Sequence, residues 1–492
     1  MKTRILAPLL LALAQSLSAQ GSASALVIRG TSVIDVVTGA VAANRTIVVE
    51  GTRITRVGGA ALAIPAGARV IDGRGTFAIP GLWDMHAHVS VWDMEQTVMP
   101  LNVANGVTGL REMFSEIGYA KRVRAEIAAG ALVRPRFVFS GNIVDGLAPT
   151  RPGEVVVRTP EQGRRAVDSL ADAGAEFIKV YSLLDSASFD AIAERAKARG
   201  IPIAGHVPMS VSALHAAQMG QRTTEHLEGV SAGCSREEPE IVRGRVAWLR
   251  ARISDSANAA TLMSEMRSGH AAMRRSFDQK RCDVLLQRLA ALGLWQVPTL
   301  GVLHAISRLG DPALVRQERL RYLIAPVRQM WEMIGADTSF TRDTSGRAFN
   351  RDVERRIVGR MAALGVPVLA GTDSPNPFTY PAFGLHDELE LLVEAGFTPL
   401  QALRTATINP ARFFAATDTL GAIAAGKVAD LVLLNANPLR DIRNTRGIHT
   451  VVANGKPFDR PTLDAMLEAI AKRASATPPP PSRGASAARS PR

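Results

Sequence analysis

The sequence predicts an α/β protein, a (β/α)8 TIM barrel with a β-sandwich domain formed from both chain ends. Three observations predict it. Between residues 81 and 417, short apolar strands alternate with helical stretches, the pattern of parallel strands joined by crossover helices. Eight candidate strands are found there, ending near His88, Glu112, Ser140, Tyr181, His206, His226, His304 and Asp373. Gly-punctuated segments rich in Val and Ile stand on both sides of that region. The chain has 492 residues, too many for one small core.

Taken in order, residues 1–20 read as a secretory signal peptide. Lys2 and Arg4 make a positive start, Ile5 to Leu17 is apolar, and Ser16, Ser18, Ala19 and Ala23 offer small residues near a cleavage point. The apolar run is shorter than the roughly 20 residues a membrane span needs, and no later run is long enough. Export, to the periplasm in a bacterium, is the expectation. Residues 21–80 form the first part of the sandwich: LVIRG, TSVIDVVTG, RTIVVEGTRITRVGG and ARVIDGRGTFAIPG. Its second part is 418–460, with GAIAAGKVADLVLLNANP and IHTVVANGKPF. A helix is expected over 461–473. The tail 474–492, made of Ala, Ser, Pro and Arg, is expected to be disordered.

One interval in the barrel is anomalous. His226 and Asp373 lie 147 residues apart, whereas two average barrel units need only about 60. The surplus falls in a stretch at about 230–350 that reads as a helical insertion. It either caps the barrel mouth or lies on the surface away from it.

Composition narrows the function. Apolar content of 47% and charged content of 21% are ordinary for a globular protein. The net charge of +13 is scattered, and five of the cations sit in the leader and tail: Lys2, Arg4, Arg483, Arg489 and Arg492. No basic run is interleaved with aromatics, so a nucleic-acid partner is not expected. Cys234 and Cys282 lie outside any CxxC pattern and beside no histidine, so neither reads as catalytic. Whether they form a disulfide stays open, as does a homo-oligomer.

The chemistry-bearing residues lie at strand ends. In PGLWDMHAHV, a short apolar run ends in His-x-His. Residues i and i+2 of a strand share a face, so His86 and His88 project side by side, as two imidazoles sharing a metal must. Lys179 interrupts the apolar strand EFIKVY, where an ammonium is costly unless paired or neutralised. His206 follows IPIAG, His226 follows TTE, and Asp373 ends VPVLAGT. Each has a structural alternative when taken singly. Asp373 could cap a helix, Lys179 could pair with a surface acid, and each histidine could be a hydrogen-bonded core residue. Together they occupy one rim, the C-terminal strand ends where barrel enzymes keep their active sites. Tyr181 stands two residues beyond Lys179 on the same side. It either donates a hydrogen bond to a developing oxyanion or packs at the strand end. Arg111 reads as a structural ion-pair partner. His304 reads as a structural residue at the seventh strand end, His386 as structural, and His215, His270 and His449 as ordinary.

The order HxH, Lys, His, His, Asp resembles that of the amidohydrolase superfamily of metal-dependent hydrolases. PGLWDMHAHV, NVANGVTGLREM, FIKVY, GHVP, EHLEG, LAGTDSP, EAGFTPLQALRTATINPARFF and GKVADLVLLNANPL carry the resemblance over about 26–457. It implies a centre of two divalent metal ions, expected to be zinc. His86, His88 and Asp373 would hold the first, and His206 and His226 the second. Lys179, carboxylated by carbon dioxide, would bridge them. A carbamate is an anionic oxygen donor and removes the buried positive charge. Two cations sharing a hydroxide lower its proton affinity enough to make a nucleophile at neutral pH. Asp373 would move the proton. The closest branch in motif pattern is prolidase-like and imidazolonepropionase-like. The implied function is hydrolysis of carbon–nitrogen bonds in a small-molecule substrate such as a dipeptide or N-acyl amino acid. A lactonase, a cyclic-amide hydrolase and an inactive binding module are the alternatives.

Overall fold

The structure is a computed structural model describing residues 25–90, 94–129, 133, 135–146, 153–251, 269–337 and 345–476. The expected signal peptide at 1–20 and the tail from 477 onward lie outside the described residues. In chain order the strands are β1 (Leu26–Ile34), β2 (Val41–Glu50), β3 (Arg53–Gly58), β4 (Arg69–Asp72), β5 (Phe77–Pro80), β6 (Leu82–Ala87), β7 (Val107–Glu112), β8 (Arg136–Phe139) and β9 (Val144–Asp145). They continue as β10 (Val155–Val156), β11 (Ile178–Val180), β12 (Ile203–Gly205), β13 (Gln221–Glu225), β14 (Trp295–Val297), β15 (Leu431–Leu434), β16 (Ile448–Ala453) and β17 (Lys456–Asp459).

The two ends of the chain meet in one mixed sheet, ordered β17-β16-β15-β5-β1-β2-β3 with β4 beside β1. The joint is β5, which pairs antiparallel with β15 and parallel with β1. Val and Ile on alternate positions give this sheet its own apolar core, with Ile28, Ile47, Ile54, Leu431 and Leu433 buried. LVIRG and TSVIDVVTG are one strand rather than two. Gly30, at φ +84°, makes a register shift inside β1 instead of a turn.

The central region runs as two parallel sheets, β6-β7-β8 and β10-β9-β11-β12-β13-β14. Backbone hydrogen bonds join them on both sides. The Glu176 N–H, two residues before β11, donates to the Phe139 carbonyl at the end of β8 (3.1 Å). On the other side, the segment 367–374 lies between β14 and β6. Leu369 N–H donates to Gln296 O (2.9 Å), Met85 N–H to Ala370 O (2.9 Å), and Asp373 N–H to His86 O (2.7 Å). Helices connect the strands, and their ends are legible locally. Pro160–Ala173 starts on Thr159, whose hydroxyl accepts from Gln162 N–H, and stops at left-handed Gly174. Ser186–Arg199 starts on Asp185 and stops at Gly200 in the same way.

Two expectations need correction. The seventh strand does not end near His304. It is β14, ending at Val297, because Pro298 lacks an N–H to continue the ladder and Thr299 turns into the left-handed region (φ +48°). His304 lies on the helix Leu300–Ser307 that follows. For the same reason the stretch 230–350 is not one helical block: β14 sits inside it. The extra helical material flanks that strand, with Glu238–Ala251 and Gln279–Ala291 before it and Ala325–Ala336 after it. Cys234 and Cys282 are bonded to each other, tying the short helix Val230–Gly233 to Gln279–Ala291. The C-terminal helix covers Arg460–Ala476, so residues 474–476, expected in the tail, are helical. Among the described residues no helix is long and apolar enough to cross a membrane.

Candidate metal centre

His86 is on β6, and His88 follows just beyond its end. All six residues of β6 are buried, so the strand can present imidazoles only into the protein interior. Asp373 ends the segment hydrogen-bonded alongside it. His88 Nε2 lies 3.0 Å from Asp373 Oδ1, His86 Nε2 3.3 Å from the same oxygen, and His226 Nε2 3.7 Å from Oδ2. Ligand atoms of His86, His226 and Asp373 all lie within 4.8 Å of one another, a spacing one metal ion can span. The His206 ring stands 4.9 Å from that of His226. Lys179, 1% exposed, lies on β11 among these groups, where the charges of Glu225 and Asp373 act on it. The structure therefore brings His86, His88, Lys179, His206, His226 and Asp373 into one cluster.

The backbone is strained where it delivers two of them. His226 and Asp373 have φ of +55° and +58°, a region that non-glycine residues rarely occupy. Such outliers persist only where surrounding structure holds them, and they gather at functional sites. The neighbouring chain presses close as well. A Cβ on Gly205 would sit 2.3 Å from Val180 O and 2.9 Å from the Lys179 side chain, so only glycine lets β12 pass there.

The outward ring nitrogens of His86, His206 and His226 are engaged, while His88 Nδ1 has no hydrogen-bond partner among the described residues. His86 Nδ1 is 2.8 Å from Glu225 Oε2. His206 Nδ1 is 2.7 Å from Ser182 Oγ and 2.8 Å from Glu228 Oε2. His226 Nδ1 is 2.6 Å from Thr299 Oγ1. His88 Nδ1 is 4.0 Å from Glu112. Partners on one nitrogen fix the tautomer and aim the other nitrogen inward, the arrangement of metal-ligating histidines.

Electrostatics keeps the donors in ligating form. Burial pushes His88 down to about 4 and His226 down to about 3, and lowers His206 as well. These imidazoles are neutral across the physiological range. Burial works against the Asp373 charge, yet His86 and His226 beside it hold its carboxyl well below the usual range. Burial also lowers Lys179 to about 8, which makes its neutral amine far more accessible than an exposed lysine's.

Tyr181 stacks on His206, with ring centroids 3.9 Å apart, and its ring centroid is 5.8 Å from Lys179 Nζ. Arg111 is an internal pair partner. Its Nε donates to Met85 O (2.6 Å) and its Nη2 to Glu225 Oε1 (3.1 Å). His386 bonds Thr445 and the Asn105 carbonyl, His215 bonds Asp190, and His449 bonds Thr450. His270 is not remote from the centre. It stacks on Phe349 and lines a cavity of about 230 Å³ that also reaches His226 and Glu228. Helices from the 230–350 stretch wall this cavity, so they border the centre.

The outer acids are what the sequence reading missed. Glu225, Glu112 and Asp84 are all fully buried. Asp84 accepts from the N–H groups of His86 and Thr372, and Glu112 from Val89 N–H. A signal was available: each is a carboxylate inside a buried strand, the same anomaly that singles out Lys179.

The amidohydrolase family profile matches residues 77–458. The chain belongs to the amidohydrolase family. Among curated relatives it is similar to an imidazolonepropionase from Geobacillus kaustophilus, 33% identical over 115 residues, which cover 23% of this chain. The match spans only 27% of that relative's length. Among solved structures, this amidohydrolase resembles bottromycin amidohydrolase, with a TM-score of 0.70, 24% identity, and coverage of 92% of this chain and 90% of the other. It also resembles a Xaa-Pro dipeptidase with methionine bound in its active site. There the TM-score is 0.63 at 19% identity, with 89% of this chain and all of the other covered. At such identities these two likenesses concern the fold.

Proposed function

We propose that the protein is a metal-dependent hydrolase of carbon–nitrogen bonds in small molecules, most simply a dipeptidase or N-acyl amino acid hydrolase. In this reading β6, β7, β8, β11, β12, β13, β14 and the segment 367–374 are the eight strands of a (β/α)8 barrel, and the terminal sheet belongs to its β-sandwich. One observation carries the proposal: imidazoles converge on Asp373 while their other nitrogens are held from behind. The donor set fits divalent metal, zinc by its nitrogen and oxygen chemistry. His86, His88 and Asp373 would hold one ion, His206 and His226 a second, and Lys179, carboxylated on Nζ, would bridge them. Bound there, the ions supply an activated water and polarise the scissile carbonyl.

The chain's own residues do the rest. The Lys179 amine, neutral once its proton is lost, attacks carbon dioxide and releases a proton, becoming an anionic oxygen donor. An Asp373 carboxylate oxygen takes the proton of the attacking water and returns it to the leaving nitrogen, which would otherwise depart as a poor amide anion. In this reading Tyr181 donates a hydrogen bond to the carbonyl oxygen as it gains charge. The bonded cysteines suit an oxidising compartment, in keeping with export.

A second reading, hydrolysis of a cyclic amide, is supported by the imidazolonepropionase-like stretch. The test is metal analysis with a screen of dipeptides, N-acyl amino acids, cyclic amides and lactones. Two metal equivalents and turnover of a linear amide are expected. A metal-free protein that turns over nothing after metal loading refutes the proposal, and turnover of cyclic amides alone selects the second reading.

A further inference from the structure

The cavity of about 230 Å³ beside the centre is lined by His226 and Glu228 of the centre and by the apolar side chains of Met209, Met273 and Phe349. In that largely apolar lining stands Glu354, 7% exposed. Its one hydrogen-bond partner among the described residues is the neutral Asn350 amide, at 2.9 Å. Among the described residues no cation stabilises it. Arg245 lines the same cavity, and its charge acts on Glu228. Burial alone holds the Glu354 carboxyl up at about 7. A buried carboxylate with no counter-ion costs stability, so its presence calls for an explanation. The backbone offers a second observation. Asn350–Glu354 is a π-helical turn leading into the helix Arg355–Leu364. Wide turns of this kind are rare and recur at functional sites.

We propose that Glu354 determines specificity: it takes the cationic head of a lysine- or arginine-like substrate side chain whose aliphatic stem fills this cavity. The apolar lining suits the methylenes, and the acid within it suits the head group, as snorkelling side chains require. This inference rests on reading the adjacent centre as a hydrolase for amino-acid-derived amides.

The test compares the full-length protein with Glu354→Gln, which keeps size and hydrogen bonding but removes the charge. Calorimetric binding of L-arginine and of its uncharged isostere L-citrulline is measured on both. Wild type is expected to bind arginine about tenfold or more tightly than citrulline, the scale of a buried charge-assisted hydrogen bond. The variant is expected to bind the two nearly equally, with the same collapse in the kcat/KM ratio for matched arginine and citrulline dipeptides. Equal or absent binding of both by wild type overturns the proposal, as does an unchanged ratio in the variant. Arginine discrimination without hydrolysis of any amide would instead overturn the hydrolase reading alone.

Discussion

Glu225→Gln is the most informative perturbation, because one carboxylate serves three buried partners. Its Oε2 lies 2.8 Å from His86 Nδ1, and its Oε1 accepts from Arg111 Nη2 at 3.1 Å and from the Thr223 hydroxyl at 2.5 Å. Burial opposes its charge, but Arg111 and His86 hold it ionised well below the ordinary carboxylate range. Glutamine keeps the shape and one neutral acceptor oxygen but removes the carboxylate charge paired with Arg111, 1% exposed, whose other acceptors Met85 O and Thr223 Oγ1 are neutral. Stranding one member of a buried pair costs about 3–5 kcal/mol, a large fraction of a typical stability of roughly 5–15 kcal/mol. Separately, His86 loses the anion that aims and enriches its other nitrogen, which typically costs 10–100-fold in metal affinity. Thermal denaturation and competitive metal titration read the two effects apart. Adding Arg111→Met removes the stranded cation. The apolar side chain would lie near Phe177 and Phe413, whose ring centroids are 5.6 and 5.4 Å from the guanidinium carbon. The double variant should regain much of the stability without regaining metal affinity. The sign with pH follows. A depressed carboxyl stabilises the fold above its ordinary value of 4.5 and loses that contribution as pH falls. Glu225→Gln should therefore show a shallower loss of stability on acidification. A single variant with wild-type melting and wild-type metal affinity refutes this account of Glu225.

Asp373→Asn keeps the shape and one oxygen donor but cannot take up a proton. Metal should stay bound while turnover falls about 100-fold or more, and near-normal turnover with full metal content would mean that another base acts. Lys179→Ala should lose metal, and short-chain carboxylic acids should restore part of the activity by occupying the gap. A crystal structure showing an unmodified Lys179 amine turned away from fully occupied metals would rule out the carbamate. Glu388, whose Oε2 accepts from Gly301 N–H at 2.7 Å, is pushed up to about 8 by burial. Its contribution to stability is full below the ordinary value of 4.5 and is lost as pH rises to about 8, at about 1.4 kcal/mol per pH unit. Glu388→Gln should flatten the pH dependence of the melting temperature over that window, and an unchanged slope counts against it.

How much of the site was legible depends on how local each signal is. His-x-His on an apolar strand announces itself, because a two-residue spacing on β6 decides which way both rings point. Lys179 was visible as a charge inside an apolar run. Glu225 carries the same signal, but its neighbour His226 dominates the local pattern. The π-turn that places Glu354 in the cavity has no such signature. The strand expected near His304 ends earlier because Pro298 and Thr299 stop β14 at Val297, and the apolar helix after it reads like a strand.

By itself the sequence determined the α/β pattern and the order of polar residues at strand ends, since hydrophobic period, capping residues and strand-breaking prolines act within a few positions. Tertiary structure alone decided which partners meet. His86 faces Glu225 across 139 positions of sequence, His88 meets Asp373 across 285, and β5 pairs with β15 to join the two ends. Such contacts form because burial in a shared interior leaves each polar group only the partners the fold brings within reach, and nothing in the local sequence records who they are.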